Sequence, residues 1–83
     1  MEEYIRAHIR LNTPREADTF VAALNGDGTS DHYTIEDFSG TNRINARSLL
    51  GVIYALTEFN DEMFLVNDTA NGKFPSSIDK YRV

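Results

Sequence analysis

Thr13-Pro14-Arg15-Glu16 is the first stretch of the chain whose residue types suit chemistry. Threonine can cap a helix, proline suits its first position, and Glu16 can return a hydrogen bond to the cap backbone as a capping box. The free N–H groups and dipole of such a helix start favour an anion, and Arg15 would strengthen the hold. Ser48 stands in the first turn of a second predicted helix, where a phosphate would gain from the same dipole, and where the bland reading is a serine that only helps start the helix. Residue types for catalysis are otherwise missing, with no cysteine, no Gly-x-Ser-x-Gly elbow, no His-Glu-x-x-His pair and no P-loop. His8 and His32 lack an evident Asp or Glu partner to fix either ring, so both read as surface histidines. Residues 25–36 alternate oxygen-bearing side chains and end in Glu36, which invites a calcium loop. Asn25 stands where the first Asp belongs, Ser30 replaces the obligatory glycine and a strand follows, so a solvated loop is the better reading. No metal, no cofactor and no enzymatic activity are expected.

The elements that must position these residues follow from periodicity. Residues 4–11 alternate strictly, with Ile5, Ala7, Ile9 and Leu11 on one face and Tyr4, Arg6, His8 and Arg10 on the other, which predicts a half-buried strand. Ala17, Phe20, Val21 and Leu24 repeat at helical spacing, predicting a helix over residues 14–24 that ends before the Asn25-Gly26-Asp27-Gly28 turn. Residues 32–35 and 41–45 favour two short strands joined by a turn over 36–40. Residues 46–56 are rich in Ala and Leu and read as a second helix, and the apolar run 63–66 as a buried strand. Residues 67–72 have loop composition, and 74–81 can close at most a short helix. The order β-α-β-β-α-β is an α+β pattern shared by the ferredoxin-like fold and an open-faced β-sandwich, each with two helices on one face of a four-stranded antiparallel sheet.

Eighty-three residues predict a single domain, residues 1–83, because so short a chain cannot divide its buried surface between two cores. With 41% apolar residues and no cysteine, side-chain packing must hold the fold. Eight Lys plus Arg against thirteen Asp plus Glu disfavour general nucleic-acid binding. Five of the six arginines nevertheless fall within the first 47 residues, so a local basic site is compatible with an acidic protein. No apolar run reaches the length of a signal peptide or membrane span, and a cytoplasmic location is expected.

The second helix carries more apolar surface than one core needs. Ala46, Leu49, Leu50, Val52, Ile53, Tyr54 and Leu56 cover an arc of about 200° at 100° per residue, twice what a core-facing stripe uses. Some of Leu49, Leu50, Ile53 and Tyr54 should therefore reach the surface beside Arg47 and Ser48 as a patch suited to a partner. The competing expectation is that the C-terminal segment folds over the excess.

Thr13, Arg15, Ala17, Phe20 and Val21, together with Asn45-Ala46-Arg47-Ser48-Leu49-Leu50-Gly51-Val52, resemble HPr, the phosphocarrier of the bacterial sugar phosphotransferase system. The resemblance spans roughly residues 5–66 and favours the open-faced sandwich, with strand order 1-4-2-3. It implies that Thr13 occupies the place of the phosphate-accepting histidine, that Arg15 matches the arginine steadying the phosphate, and that Ser48 matches a regulatory serine. Threonine cannot form the phosphoramidate, so phosphocarrier activity is not expected and the phosphate site is degenerate. The long last helix of HPr is replaced by a short C-terminal segment. The resemblance implies a non-catalytic regulatory or protein-binding domain, with a kinase or transcription regulator of the HPr type as partner and Arg47, Leu49, Leu50, Ile53 and Tyr54 as its contact surface. The alternative is an assembly domain that keeps the fold and forms a homodimer.

Overall fold

The computed structural model describes residues 5–60, 62–69 and 72–83; of the residues placed in the first predicted strand, Tyr4 lies outside them. The elements run β1 (Ile5–Ile9), α1 (Pro14–Asn25), β2 (Tyr33–Glu36), β3 (Arg43–Asn45), α2 (Leu49–Glu58) and β4 (Met63–Asn67), followed by a 3₁₀ helix (Ser76–Tyr81). Alternation in β1 holds from Arg6 onward, but Ile5, expected on the apolar face, is 38% exposed at the start of the strand. Ala7 and Ile9 are buried, as is Leu11 just beyond the strand, while Arg6 lies on the opposite face.

One antiparallel sheet has the order β1-β4-β2-β3. β4 lies between β1 and β2, pairing Ala7 with Leu65 on one side and Ile35 with Leu65 on the other. β3 extends the sheet through the Ile35–Ile44 pair. The first strand is therefore at an edge, as expected, and not in the centre where the ferredoxin-like alternative places it. Ile9, Ile35, Met63 and Leu65 share a face and pack with Phe20 and Leu24 of α1 and Val52 and Ala55 of α2, so both helices cover the same side in one core.

The other face carries Arg6, His8, Glu36, Arg43 and Phe64. Glu36, only 3% exposed, sits between Arg6 Nε at 2.6 Å and Arg43 Nε at 3.1 Å. The Arg6 guanidinium lies 3.8 Å from the centre of the Phe64 ring, and His8 stacks on that ring at 4.7 Å. Arg6 donates a hydrogen bond to Glu36 Oε1, whereas Oε2 is offset by the charge of Arg43 without a hydrogen bond.

Three of the boundaries that differ from expectation do so for visible local reasons. α2 begins at Leu49 and not at Ala46, because the Ala46 N–H bonds to Tyr33 O at 3.0 Å and the Arg47 N–H to Asn45 Oδ1 at 2.9 Å. β3 is shorter than 41–45 because the Asp37 carboxylate draws Thr41 N and Asn42 into the preceding turn. Glu36 belongs to β2, leaving a turn over 37–40.

The C-terminal segment packs on α1 and β1. Arg10 N donates to Tyr81 O at 2.8 Å and Val83 N to His8 O at 2.9 Å, Tyr81 meets Phe20 edge-on at 5.5 Å, and Ile78 is fully buried. No helix among the described residues is long and apolar enough to cross a membrane.

Candidate functional site

The first helix starts where its residue types dictate. Thr13 is the N-cap, with φ −143° and ψ 157°, and its Oγ1 accepts from Glu16 N at 3.1 Å. Glu16 Oε1 accepts from Asn12 N at 2.6 Å, one residue earlier than the Thr13 N–H a capping box would use. Arg15 is exposed at this helix start. With Arg10, Lys80 and Arg82 it lines a cleft of about 560 Å³ whose single acidic side chain, Glu16, is already bonded to Asn12. Four cations around one helix start make the cleft electropositive, a setting that favours an anion. Neither histidine lines the cleft, so it contains no imidazole to accept a phosphoryl group. Sequence reasoning named Arg15, and Arg10 among the arginines of a possible local basic site, but missed Lys80 and Arg82. Lys80 and Arg82 arrive on the C-terminal segment, whose docking on β1 leaves no periodic signal.

At the second site, Ser48 is the N-cap of α2 and not a residue of its first turn. Its backbone is extended, at φ −100° and ψ 119°, and its Oγ accepts from Gly51 N at 3.2 Å. Gly51 is where α2 presses against β3, since an added Cβ would lie 2.6 Å from Ile44 Cγ2. Val52 and Ala55 face the core, while Leu49 is 37% exposed, Leu50 83% and Tyr54 57%; Ile53 is half-buried. The C-terminal segment does not cover this excess, because it is committed to α1 and β1.

The chain matches no family model, no characterised protein and no solved structure.

Arg47, expected beside the apolar patch, spends its donors inside the chain. Nη1 donates to Leu24 O at 2.6 Å, Nε and Nη2 to Asp31 O at 3.1 Å, and Nη2 to Thr29 O at 3.2 Å. The guanidinium also lies 3.6 Å from Asp27 Oδ1 and 4.7 Å from the centre of the Tyr33 ring. Around it the Tyr33 hydroxyl donates to Asp27 Oδ2 at 2.5 Å. Burial works against the charge on Asp27, but hydrogen bonds from Tyr33 and Thr29 and the charge of Arg47 outweigh it, so its carboxyl is held below the ordinary range. Burial first, and the Asp27 carboxylate second, push the Tyr33 phenol up to about 12. This network ties residues 27–31 to the end of α1 and to the segment just before α2. Its partners are mostly backbone carbonyls, which residue types cannot announce.

Two further expectations meet the structure here. His32 does have a carboxylate partner, with Nδ1 2.9 Å from Asp68 Oδ1, because the loop after β4 folds back on the start of β2. His8 stacks on Phe64 within the sheet. Within residues 25–36 the carboxylates of Asp27 and Asp31 have partners inside the chain, Asp27 as above and Asp31 Oδ2 accepting from Asn67 at 2.9 Å. Among the described residues no group of three or more His, Cys, Asp or Glu is disposed to hold a metal ion.

Proposed function

We propose that the chain is a non-catalytic, HPr-like domain that regulates or binds other proteins of a bacterial sugar phosphotransferase system. One observation carries this reading: the rigid start of α2 presents Leu50, Tyr54 and Leu49 to solvent directly after the half-buried cap Ser48. Apolar side chains held on a well-anchored helix suit a docking surface, since little ordering entropy is lost on binding. The edge position of β1 and the order β1-β4-β2-β3 support the open-faced sandwich of that family. A phosphate on Ser48 would gain the Gly51 N–H and the helix dipole but not Arg47, whose donors are engaged. It would turn an apolar patch into a charged one and so change partner, with a kinase or transcription regulator of the HPr type as the expected company in the cytoplasm. Thr13 in the acceptor position, and no histidine in the basic cleft, support the loss of phosphocarrier activity.

The test has two arms. Incubation with phosphoenolpyruvate and the enzyme that charges HPr should add no acid-labile phosphate. Incubation with ATP and the kinase that modifies HPr should phosphorylate the wild type and not Ser48→Ala. Equal uptake by both proteins, or none by the wild type, ends the regulatory reading. The exposed patch also supports a second reading, a homodimer assembled through Leu50 and Tyr54. A sizing-column mass twice that of the chain, halved by Leu50→Asp, would favour it.

A further inference from the structure

Tyr54 also lines an open cleft of about 470 Å³ between the β2–β3 turn and the C-terminal end of α2. Its walls are Phe38, Tyr54 and Phe59, and its charges are Asp37, Glu58 and Glu62, with no lysine or arginine among the lining residues. Phe38 is 69% exposed although the turn that carries it is firmly held. Arg6 Nη2 donates to Asp37 O at 3.2 Å and to Phe38 O at 3.0 Å, and the Asp37 carboxylate accepts from Asn42 Nδ2 at 2.7 Å and Thr41 N at 3.0 Å. The ring is therefore offered to solvent by a preorganised backbone.

Two of the three charges, Glu58 and Glu62, are placed where the fold gains nothing from them. Glu58 ends α2, at the negative pole of the helix dipole, and the last turn contains no basic residue. Carboxylates are unfavourable at that pole. Neither Glu58 nor Glu62 has an ion-pair or hydrogen-bond partner for its carboxylate among the described residues. Hydrogen bonds from Asn42 and Ser39 hold the Asp37 carboxyl below its ordinary range, which favours its charged form. A cation entering the cleft would relieve this local repulsion. The carboxylates are not gathered as a metal site, and the aromatic walls suit an organic cation, which a ring attracts through its negative face.

From this we infer that the cleft between Phe38 and Tyr54 binds an arginine- or lysine-bearing segment of a partner protein, with an apolar neighbour of that cation against Phe38 or Tyr54. The surface is independent of Ser48 phosphorylation and of phosphotransferase chemistry. A second copy of the chain is the competing occupant, since its own Arg10, Arg15, Lys80 and Arg82 make a basic surface.

The experiment is an amide chemical-shift titration with an eight-residue peptide of alternating leucine and arginine, and with the same peptide in which citrulline replaces arginine. The arginine peptide should move residues 37–42, 54–60 and 62. The double variant Glu58→Gln/Glu62→Gln should weaken it about three- to tenfold, as should citrulline. Phe38→Ser should weaken it about two- to fivefold, and Asp18→Asn, which removes a carboxylate on the surface of α1, should leave it unchanged. Circular dichroism on each variant verifies folding. Equal binding of the citrulline peptide, an unaffected double variant, or shifts spread over α1 as much as the cleft would overturn the inference. So would concentration-dependent self-association that the double variant abolishes, which would assign the cleft to a second copy. Failure of the Ser48 test leaves all of these outcomes readable.

Discussion

Replacing Arg47 by alanine separates a structural arginine from a partner contact. Its side chain is 21% exposed, and its guanidinium serves Leu24 O, Thr29 O and Asp31 O while lying beside Asp27 and over Tyr33. A hydrogen bond from a charged donor contributes about 1.5–3 kcal/mol, and water can replace the bonds on the exposed side of the loop. Counting only the bonds to Leu24 O and Asp31 O at the low end, with the contact to Tyr33, the loss is about 3–4 kcal/mol. A chain of this size has about 4–12 kcal/mol of stability in all. Arg47→Ala should therefore leave the protein marginal, with a urea midpoint lower by about 3 M for a slope near 1 kcal/mol per M. Arg47→Lys should recover less than half, because one ammonium cannot fork between three carbonyls. Urea unfolding followed by circular dichroism at pH 7 measures both. A loss below about 1 kcal/mol for Arg47→Ala, with an unchanged slope, would refute the assignment.

Three further outcomes follow from the same geometry. The Tyr33 phenol should ionise at about 12, above the ordinary phenol value of about 10, visible as a late step in absorbance at 295 nm. Because its folded pKa is raised, the stability it contributes is complete below pH 10 and is lost as pH rises towards 12. Gly51→Ala should destabilise by about 1–3 kcal/mol despite alanine's better helix propensity, since the new methyl would meet Ile44 Cγ2 at 2.6 Å and Asn45 O at 3.1 Å; a raised melting temperature would contradict this. Ser48→Ala should cost about 1 kcal/mol through loss of the cap bond to Gly51 N, whatever its effect on phosphorylation.

What could be read from sequence was what local chemistry decides. Thr13, Pro14 and Glu16 set the start of α1 within four residues, and the strict alternation after Ile5 set β1. The width of the apolar arc on α2 foretold that some of Leu49, Leu50, Ile53 and Tyr54 would reach the surface, and Leu49, Leu50 and Tyr54 do. Ala46 misled because its helix propensity lost to a cross-strand bond with Tyr33 O. Arg47 looked like a surface charge because its partners are carbonyls brought together only by the fold. The basic cleft was invisible for a similar reason: Arg10 and Lys80 are far apart in sequence and meet through the pairing of Arg10 N with Tyr81 O.

The central position of β4 governs how the chain reaches this structure. β1 and β2 are both anchored to β4 and not to each other, so Ile5–Ile9 has no neighbour in the sheet until Met63–Asn67 arrives. Every pairing of β1 closes a loop of more than fifty residues, such as Ile9 with Met63. Such topology pays its entropy before it gathers reward, which slows folding and makes it cooperative. A nascent chain ending before Met63 can form the β2–β3 hairpin and the two helices but no complete sheet, and its apolar strand faces stay uncovered. Completion of the sheet therefore waits on the arrival of five residues, Met63–Asn67.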